Sequence, residues 1–222
     1  MTVFHKDSQN IYRVAALEEL DWLVHGFGTR SSPGFAAGGR LATLHQIHSD
    51  IVVDAAGHAG CLGDGDALIE NTPGVLIGVK TADCTPILMA DPRHRAVAAV
   101  HAGWRGTAKK IAELAVAEMG RKFSTRAEDL VVAVGPAIGK CCYEVGPEVA
   151  GQFREYDPTL GALTHSSHLD LAEINRRQLV RQGVPPYRIY MAGLCTMCLD
   201  EFHSYRRDKH HAGRMLSAVG VR

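Results

Sequence analysis

Three short apolar runs, at 75–79, 86–90 and 96–100, constrain the fold of this chain more than any other feature of its sequence. Each run has the length and the β-branched content of a strand, and glycine, proline, aspartate or arginine residues bound it. We therefore predict three strands in quick succession. Polar residues fall between the runs, so we expect reactive side chains at strand ends, where buried strands hold them rigidly.

Cys84 precedes the second run and His101 follows the third. Their spacing suits one strand out, a turn at Asp91 and Pro92, and one strand back. We therefore expect the thiol and the imidazole to meet at one edge of a sheet.

Two stretches, 107–120 and 170–183, carry the periodicity of helices that pack on a core. We expect Thr107 to cap the first helix and Gly120 to follow its last turn, and Asp170 to open a capping box in the second. Further strands are predicted at 129–134, 187–192 and 214–219. No internal repeat, low-complexity segment or linker divides the chain.

The composition is that of a soluble globular protein, with 46% hydrophobic and 22% charged residues among 222. Lysine plus arginine equals aspartate plus glutamate at 24 each, so no basic excess points to nucleic acid or to an anionic membrane. There is no apolar run of membrane-spanning length, and the first residues lack the apolar region of a signal peptide. We therefore expect a cytoplasmic protein whose 6 cysteines are mostly thiols.

The segment HQIH offers a further ligand in His45 or His48. On a strand, residues three apart face opposite sides, so only one of these imidazoles can point into a site shared with Cys84 and His101. The periodicity does not say which one.

Two interpretations compete for Cys84 and His101. In the first, they bind a metal with one histidine of HQIH, because a thiolate and two imidazoles suit zinc and leave one coordination position open. In the second, Cys84 is a nucleophile and His101 is its base, as in cysteine hydrolases. Both interpretations need the thiolate.

The other paired cysteines carry a weaker signal. The adjacent Cys141 and Cys142 are interpreted as small buried apolar groups. Cys195 and Cys198 have the spacing of a zinc or redox motif, but one such pair without a second favours two ordinary thiols.

Seven segments, in this order, closely resemble the YfiH/LACC1 family: HGFGTR, QIHSD, GDALI, GVKTADCTPILMAD, AVAAVHAGWRGT, GPAIGKCCYEVG and FHSYRRD. The resemblance runs from about His25 to Arg214, and TADC followed by HAGWRG is its most specific part. The family has been labelled polyphenol oxidase or laccase-like, and was later recognised as purine nucleoside phosphorylases with adenosine deaminase activity. This chain departs from the family before QIH, where the usual longer segment is reduced to SSPGFAAGGRLATLH.

The resemblance implies a mixed α/β (α+β) fold: a single layered domain, 1–222, with a mixed β-sheet core flanked by helices. It implies zinc ligated by His48, Cys84 and His101, and so favours His48 over His45. It also implies a purine nucleoside and phosphate as substrates, with adenosine, inosine and methylthioadenosine as candidates. The oligomeric state is left open, a monomer included.

Phosphorolysis requires a bound phosphate and negative charge beside the ribosyl centre. Arg30, Arg105 and Arg206 are candidate phosphate clamps, because a guanidinium binds phosphate through two hydrogen bonds. Asp83 is a candidate acid, base or charge stabiliser. The predicted catalytic residues are then Asp83, Cys84, His101 and Arg105.

Three alternatives remain. One is the cysteine hydrolase with a Cys84/His101 dyad. Another is a laccase-like polyphenol oxidase with copper, although the sequence has none of the H-x-H pairs that hold a multicopper cluster. The third is a zinc-stabilised module that binds a nucleoside without turnover. A deaminase of the H-x-E…P-C-x-x-C type is excluded, since neither half is present.

Overall fold

A computed structural model describes residues 3–32, 40–156 and 165–222. The strands are β1 (Phe4–Lys6), β2 (Tyr12–Val14), β3 (Leu23–Phe27), β4 (Arg40–His45), β5 (Val52–Asp54), β6 (Gly60–Asp64), β7 (Ala67–Glu70), β8 (Val75–Thr81), β9 (Thr85–Asp91), β10 (Ala96–Ala102), β11 (Val131–Val134), β12 (Glu144–Val145), β13 (Ser167–His168), β14 (Ile189–Met191) and β15 (Met215–Val221). The helices are α1 (Ala15–Glu18), α2 (Trp104–Ala108), α3 (Ile111–Phe123), α4 (Pro147–Ala150), α5 (Leu171–Arg181) and α6 (Tyr205–Asp208). Most of the glycine-rich stretch before β4 lies outside the described residues.

Within the described residues, two large mixed sheets form the core. The seven-stranded sheet has the order β1-β2-β3-β15-β8-β4-β6, and the six-stranded sheet has the order β14-β11-β9-β10-β7-β5. A small sheet pairs β12 with β13. The predicted mixed α/β fold is therefore confirmed.

The three apolar runs are strands, as predicted, but they belong to both sheets. β8 lies in the seven-stranded sheet, whereas β9 and β10 pair in the six-stranded one. In the antiparallel β9/β10 register, His101 faces Pro86 and Ala102 faces Thr85. Cys84, directly before β9, therefore comes to the same sheet edge as His101.

Strands β9 and β10 are buried on both faces. Leu88 and Ala90 of β9 pack with Ile77 of β8 in the core between the two sheets. Ile87 and Met89 point the other way, into a core shared with helices α3 and α5. Burial on both faces explains why these segments read as continuous apolar runs rather than as an alternating pattern.

The first predicted helix differs from the structure at both ends. It begins at Trp104, breaks where Lys110 adopts a left-handed conformation (φ 66°), and resumes as α3. Thr107 is therefore not a cap but a buried residue inside α2. Gly120 lies within α3, because Ser124 (φ 61°) ends the helix in its place.

The second predicted helix is α5, and its N-cap is as expected: Asp170 Oδ1 accepts the Glu173 N–H at 3.0 Å. The Glu173 side chain does not complete the capping box, because it pairs with Arg176 and Arg177 instead. The other predicted strands are present with shifted ends, as β11, β14 and β15. Among the described helices, none has the length and apolar character needed to cross a membrane.

Helix α5 positions the short helix α2. The buried Asn175 donates from Nδ2 to Thr107 Oγ1 at 3.0 Å and to the Leu171 carbonyl at 2.8 Å. Gln178 Nε2 donates to the Thr107 carbonyl at 2.9 Å. A five-residue helix has little stability of its own, so these buried bonds fix the orientation of Trp104 and Arg105.

Replacing Asn175 by Ala should lower the free energy of unfolding by about 1–3 kcal/mol, because the buried Thr107 hydroxyl loses its donor. Gln182→Ala is the matched control, since its amide bonds the exposed Glu113 carboxylate, and it should change stability by less than about 0.5 kcal/mol. Urea unfolding curves measure both, and equal midpoints in the two variants would contradict the role of Asn175.

Candidate active site

A cavity of about 670 Å³ opens where the end of β8, the start of β9 and the end of β10 meet helices α2 and α6. This volume is within the range of small-molecule sites. Its lining consists of Leu44, His45, Gln46, His48, Lys80, Ala82, Asp83, Cys84, His101, Trp104, Arg105, Ile138, Tyr143, Tyr205, Arg206, Lys209 and Arg214.

Within this cavity, the structure brings together His48, Cys84 and His101. One potential ligand atom from each lies within 4.8 Å of the others. The two imidazole rings are 4.8 Å apart between centroids and inclined at 66°. His45 also lines the cavity, but its Nδ1 lies 2.8 Å from Asp64 Oδ1 and it is not part of the cluster.

Asp66, which was not among the predicted site residues, organises the cluster. Its fully buried carboxylate accepts N–H groups from Ile47 at 3.3 Å and His48 at 3.1 Å. It also accepts the Ser49 hydroxyl at 2.6 Å, and it lies 2.7 Å from His101 Nδ1. One carboxylate therefore fixes both the loop that carries His48 and the ring of His101. The sequence signal was an aspartate placed directly before the buried strand β7.

The environment perturbs both members of the Asp66–His101 pair. Burial raises the pKa of Asp66, but hydrogen bonds from His101 and Ser49 outweigh it and lower that pKa to about 2. Burial lowers the pKa of His101, but Asp66 and the Cys84 sulfur outweigh it and raise that pKa to about 9. Burial and the charge of His101 lower the pKa of His48. A nitrogen that binds a metal must be unprotonated, so a cation bound here would displace the proton from the His101 nitrogen that faces the cluster.

The residues of the cluster fit a metal ion. His48 Nδ1 is buried and has no hydrogen-bond partner among the described residues. A Cβ atom on Gly103 would lie 2.6 Å from His48 Nδ1 and 3.2 Å from Cys84 Sγ, so the glycine leaves this space open. One sulfur and two imidazole nitrogens are a donor set for zinc or copper. His48 lies in the loop after β4 and adopts a left-handed backbone (φ 58°).

Five cationic side chains line the same cavity: Lys80, Arg105, Arg206, Lys209 and Arg214. Arg105 lies over the Trp104 ring, with its guanidinium carbon 4.3 Å from the centroid. Arg206 donates to the Glu144 carbonyl at 2.9 Å and lies 5.4 Å from the Tyr143 ring centroid. Asp83 is the one carboxylate in the described lining, so the cavity favours anions.

Two of the candidate phosphate clamps therefore line the cavity and one does not. Arg30 is absent from the described lining. Its guanidinium pairs with Asp208 at 3.0 Å and donates to the Phe202 carbonyl at 3.2 Å. Lys80 was not predicted as a site residue, although the sequence marks it as the single charged residue of β8.

Asp83 lines the cavity, but its carboxylate already binds two neighbours. Oδ1 accepts the Thr196 hydroxyl at 2.7 Å, and Oδ2 accepts the backbone N–H of Arg206 at 2.6 Å. Its backbone is left-handed (φ 83°). These bonds connect Asp83 to the start of helix α6, and its role as acid, base or charge stabiliser stays a prediction.

The remaining cysteines differ from the sequence interpretation. Cys141 is exposed, and so is Cys198. The adjacent pair is therefore not a pair of buried apolar groups, and the structure places it against Cys195 and Cys198 in one cluster.

A family model matches the chain over residues 30–222, and its description is multi-copper polyphenol oxidoreductase laccase. The chain belongs to this family.

Its relatives carry more specific names. The chain is 42% identical over 190 residues to the purine nucleoside phosphorylase of Deinococcus radiodurans, a match that covers 85% of this chain and 72% of that protein. It is 36% identical to the purine nucleoside phosphorylase YfiH of Escherichia coli, over 83% of this chain and 76% of that protein. It is 38% identical to adenosine deaminase RL5, from an unknown prokaryotic organism, over 69% of this chain and 61% of that protein.

The fold is similar to that of solved structures. YlmD from Geobacillus stearothermophilus has a TM-score of 0.89 at 29% identity, with 99% of both chains covered. The hypothetical protein YfiH of Bacillus licheniformis has a TM-score of 0.88 at 28% identity, with 100% of both chains covered. The resemblance to YfiH proteins is thus confirmed.

Replacing Asp66 by Asn should weaken the affinity for added zinc by about tenfold to a hundredfold, because the charged acceptor that orients the His101 ring becomes neutral. Asp64→Asn is the matched control: it removes the same charge from an exposed aspartate–histidine pair two residues away. Competition between the protein and a chromophoric chelator measures the affinity, and circular dichroism checks the fold. Equal affinities in the two variants would contradict the role of Asp66.

Proposed function

We propose that this chain is a zinc-dependent purine nucleoside phosphorylase that acts as a single domain and also deaminates adenosine. Adenosine and inosine are the proposed substrates, with methylthioadenosine as a further candidate. The names of the relatives from D. radiodurans and E. coli support the phosphorylase activity, and that of RL5 supports the deaminase activity.

One observation carries the proposal: a metal-binding cluster and a group of cations share a single cavity large enough for a nucleoside. A metal site alone would fit many hydrolases. Cations alone would fit any anion-binding protein. A cavity that contains both suits a reaction between a neutral nucleoside and an inorganic anion.

The proposed zinc ligands are His48, Cys84 and His101. When bound, zinc would supply a Lewis acid that polarises a substrate atom. Asp66 accepts the Nδ1–H of His101 and thereby directs the other ring nitrogen toward the cluster. Gly103 keeps the space between the donors free of a side chain.

The proposed phosphate site uses Arg105 and Arg206. Both line the cavity, and a guanidinium can bind two phosphate oxygens at once. The Asp83 carboxylate accepts the backbone N–H of Arg206, and the Arg105 guanidinium lies over the Trp104 ring. In the reaction, a phosphate oxygen bonds to the anomeric carbon while the bond from that carbon to the purine breaks, and the purine nitrogen takes up the proton that the phosphate gives up. The products are free base and ribose 1-phosphate.

The base would lie against aromatic side chains of the lining. Tyr143 and Tyr205 present rings to the cavity, and stacking on an aromatic ring suits any purine. Burial raises the pKa of Tyr143 to about 12, so its hydroxyl stays protonated at neutral pH.

A second candidate is the cysteine hydrolase, because the Cys84 sulfur lies within 4.8 Å of a His101 ring nitrogen and raises the pKa of that imidazole. A third is the copper polyphenol oxidase suggested by the description of the family. Measurement of the bound metal and of its ligands separates both from the phosphorylase.

Replacing Cys84 by Ala should remove one equivalent of zinc per chain, because the only sulfur of the described cavity cluster is lost. His45→Ala should retain that equivalent, since its imidazole pairs with Asp64 instead. Elemental analysis of purified protein measures both. A Cys84→Ala protein that keeps its metal but loses activity would instead support the cysteine dyad, and copper in place of zinc would support the oxidase.

Purine release from inosine should stop in phosphate-free buffer, and the sugar should appear as ribose 1-phosphate once phosphate is added. Arg105→Ala should lower kcat/KM for phosphate by roughly tenfold to a hundredfold for each charge-assisted hydrogen bond lost, or about 1.5–3 kcal/mol. Arg105→Lys should restore part of the loss, because lysine keeps the charge but lacks the fork.

Chromatography of a nucleoside panel, with and without phosphate, gives these rates. Arg121→Ala is the matched control, since Arg121 lies on the exposed face of α3 and pairs with Glu118. Release of base at full rate without phosphate, with free ribose as product, would refute the phosphorylase and indicate a nucleoside hydrolase.

A further inference from the structure

Four of the six cysteines lie together outside the cavity cluster. The sulfur atoms of Cys141, Cys142, Cys195 and Cys198 are all within 4.8 Å of one another. The Cys198 sulfur lies 3.3 Å from that of Cys142 and 3.7 Å from that of Cys141. More than fifty residues of chain separate the two pairs, so the fold and not local sequence brings them together.

The pairing of β11 with β14 explains this meeting. The two strands are parallel neighbours, so the loops that leave their carboxyl ends emerge at the same sheet edge. The loops then bond to each other: the Ala137 N–H donates to the Leu194 carbonyl at 3.2 Å, and the Thr196 N–H donates to the Ala137 carbonyl at 3.0 Å. The first loop carries the adjacent cysteines and the second carries the C-x-x-C pair.

Local backbone geometry holds the cysteines close. The Cys142 N–H donates to the Gly139 carbonyl at 2.9 Å, and the Leu199 N–H donates to the Cys195 carbonyl at 3.1 Å, so each pair is carried by a tight turn. The Gly139 N–H donates to Cys195 Sγ at 3.2 Å. A Cβ atom on Gly139 would lie 3.2 Å from the Cys141 sulfur, so the glycine lets the loop approach the cluster closely.

The separations between sulfurs match a tetrahedral metal site. Four thiolates about 2.3 Å from one zinc ion lie about 3.8 Å from each other, and four thiolates with no open position are the donor set of structural zinc. A chance contact between two thiols would not place a third and a fourth sulfur within the same distance.

We propose that Cys141, Cys142, Cys195 and Cys198 form a second zinc site, with a structural role, next to the cavity that holds His48, Cys84 and His101. The site is a closed set of four sulfur donors. It does not depend on the activity proposed above, because none of its ligands belongs to the cavity cluster.

The second site would fasten two parts of the cavity wall. Tyr143, which lines the cavity, directly follows Cys142. Thr196, which directly follows Cys195, donates its hydroxyl to Asp83, and Asp83 in turn accepts the backbone N–H of Arg206. An ion bound to both loops would hold the Tyr143 side of the wall at a fixed distance from the Arg206 side.

Metal analysis of protein purified with a non-chelating phosphine reductant tests the proposal. Wild-type protein should contain two zinc ions per chain, and Cys84→Ala and Cys198→Ser should each contain one. The Cys84→Ala/Cys198→Ser double variant should contain none. Cys61→Ser is the matched control, because Cys61 is exposed on β6 and belongs to neither cluster, and it should retain two.

Cobalt(II) provides a second measurement, which keeps the test valid if Cys198→Ser does not fold. In the Cys84→Ala background, cobalt should bind at one ion per chain with the intense sulfur-to-metal absorption of a tetrathiolate site. Adding Cys141→Ser should remove or strongly weaken that absorption.

The proposal fails if wild-type protein holds a single zinc ion that Cys198→Ser also retains. It also fails if the Cys84→Ala protein binds no cobalt through sulfur, or if mass spectrometry finds a Cys142–Cys198 disulfide with no second metal. Retention of two zinc ions in Cys84→Ala would refute the cavity site instead, so the two sites fail in distinguishable ways.

Discussion

The burial of β9 and β10 on both faces is the constraint on which the rest of this structure depends. One face of the hairpin packs on the seven-stranded sheet, and the other packs on α3 and α5. Residues 86–90 of β9 and 96–100 of β10 carry no polar side chain, because an unpaired polar group buried there would be costly. The reactive side chains of Cys84 and His101 therefore lie at the strand ends, where they meet at one edge of the sheet.

Asp66 fixes the parts of the site that are not strands. A buried carboxylate is tolerable only when several donors satisfy it, and the 47–49 loop and His101 provide them. The same bonds that compensate for burying the charge also place His48. The electrostatic requirement of one residue thus determines the geometry of another. Asp83 acts in a comparable way on the opposite wall, where it joins Thr196 to Arg206.

The sequence predicted the elements whose signals are local. The apolar runs of β8, β9 and β10, the Asp170 cap and the meeting of Cys84 with His101 all follow from periodicity, capping chemistry and strand length. The break at Lys110 did not, because a left-handed conformation in a lysine leaves no mark on composition.

Contacts between residues far apart in the sequence could not be predicted either. Periodicity could not relate the cysteines after β11 to those after β14, nor could it place Arg30 beside Asp208. The choice of His48 over His45 came from family resemblance alone. Strand alternation could not make it, because β4 ends at His45 and His48 lies in the loop that follows.

That left-handed φ, shared by His48 and Asp83, has a cost for the whole protein. A non-glycine residue in this region loses roughly 1–2 kcal/mol relative to an ordinary conformation. Both residues line the cavity, so the strain that shapes the cavity wall lowers the free energy of unfolding of the protein. Glycine at 83 would relieve this strain, but it would also leave the Thr196 hydroxyl and the Arg206 N–H without their acceptor. The strained backbone at 83 therefore persists because the carboxylate that it carries stabilises the surrounding turn by more than the strain costs.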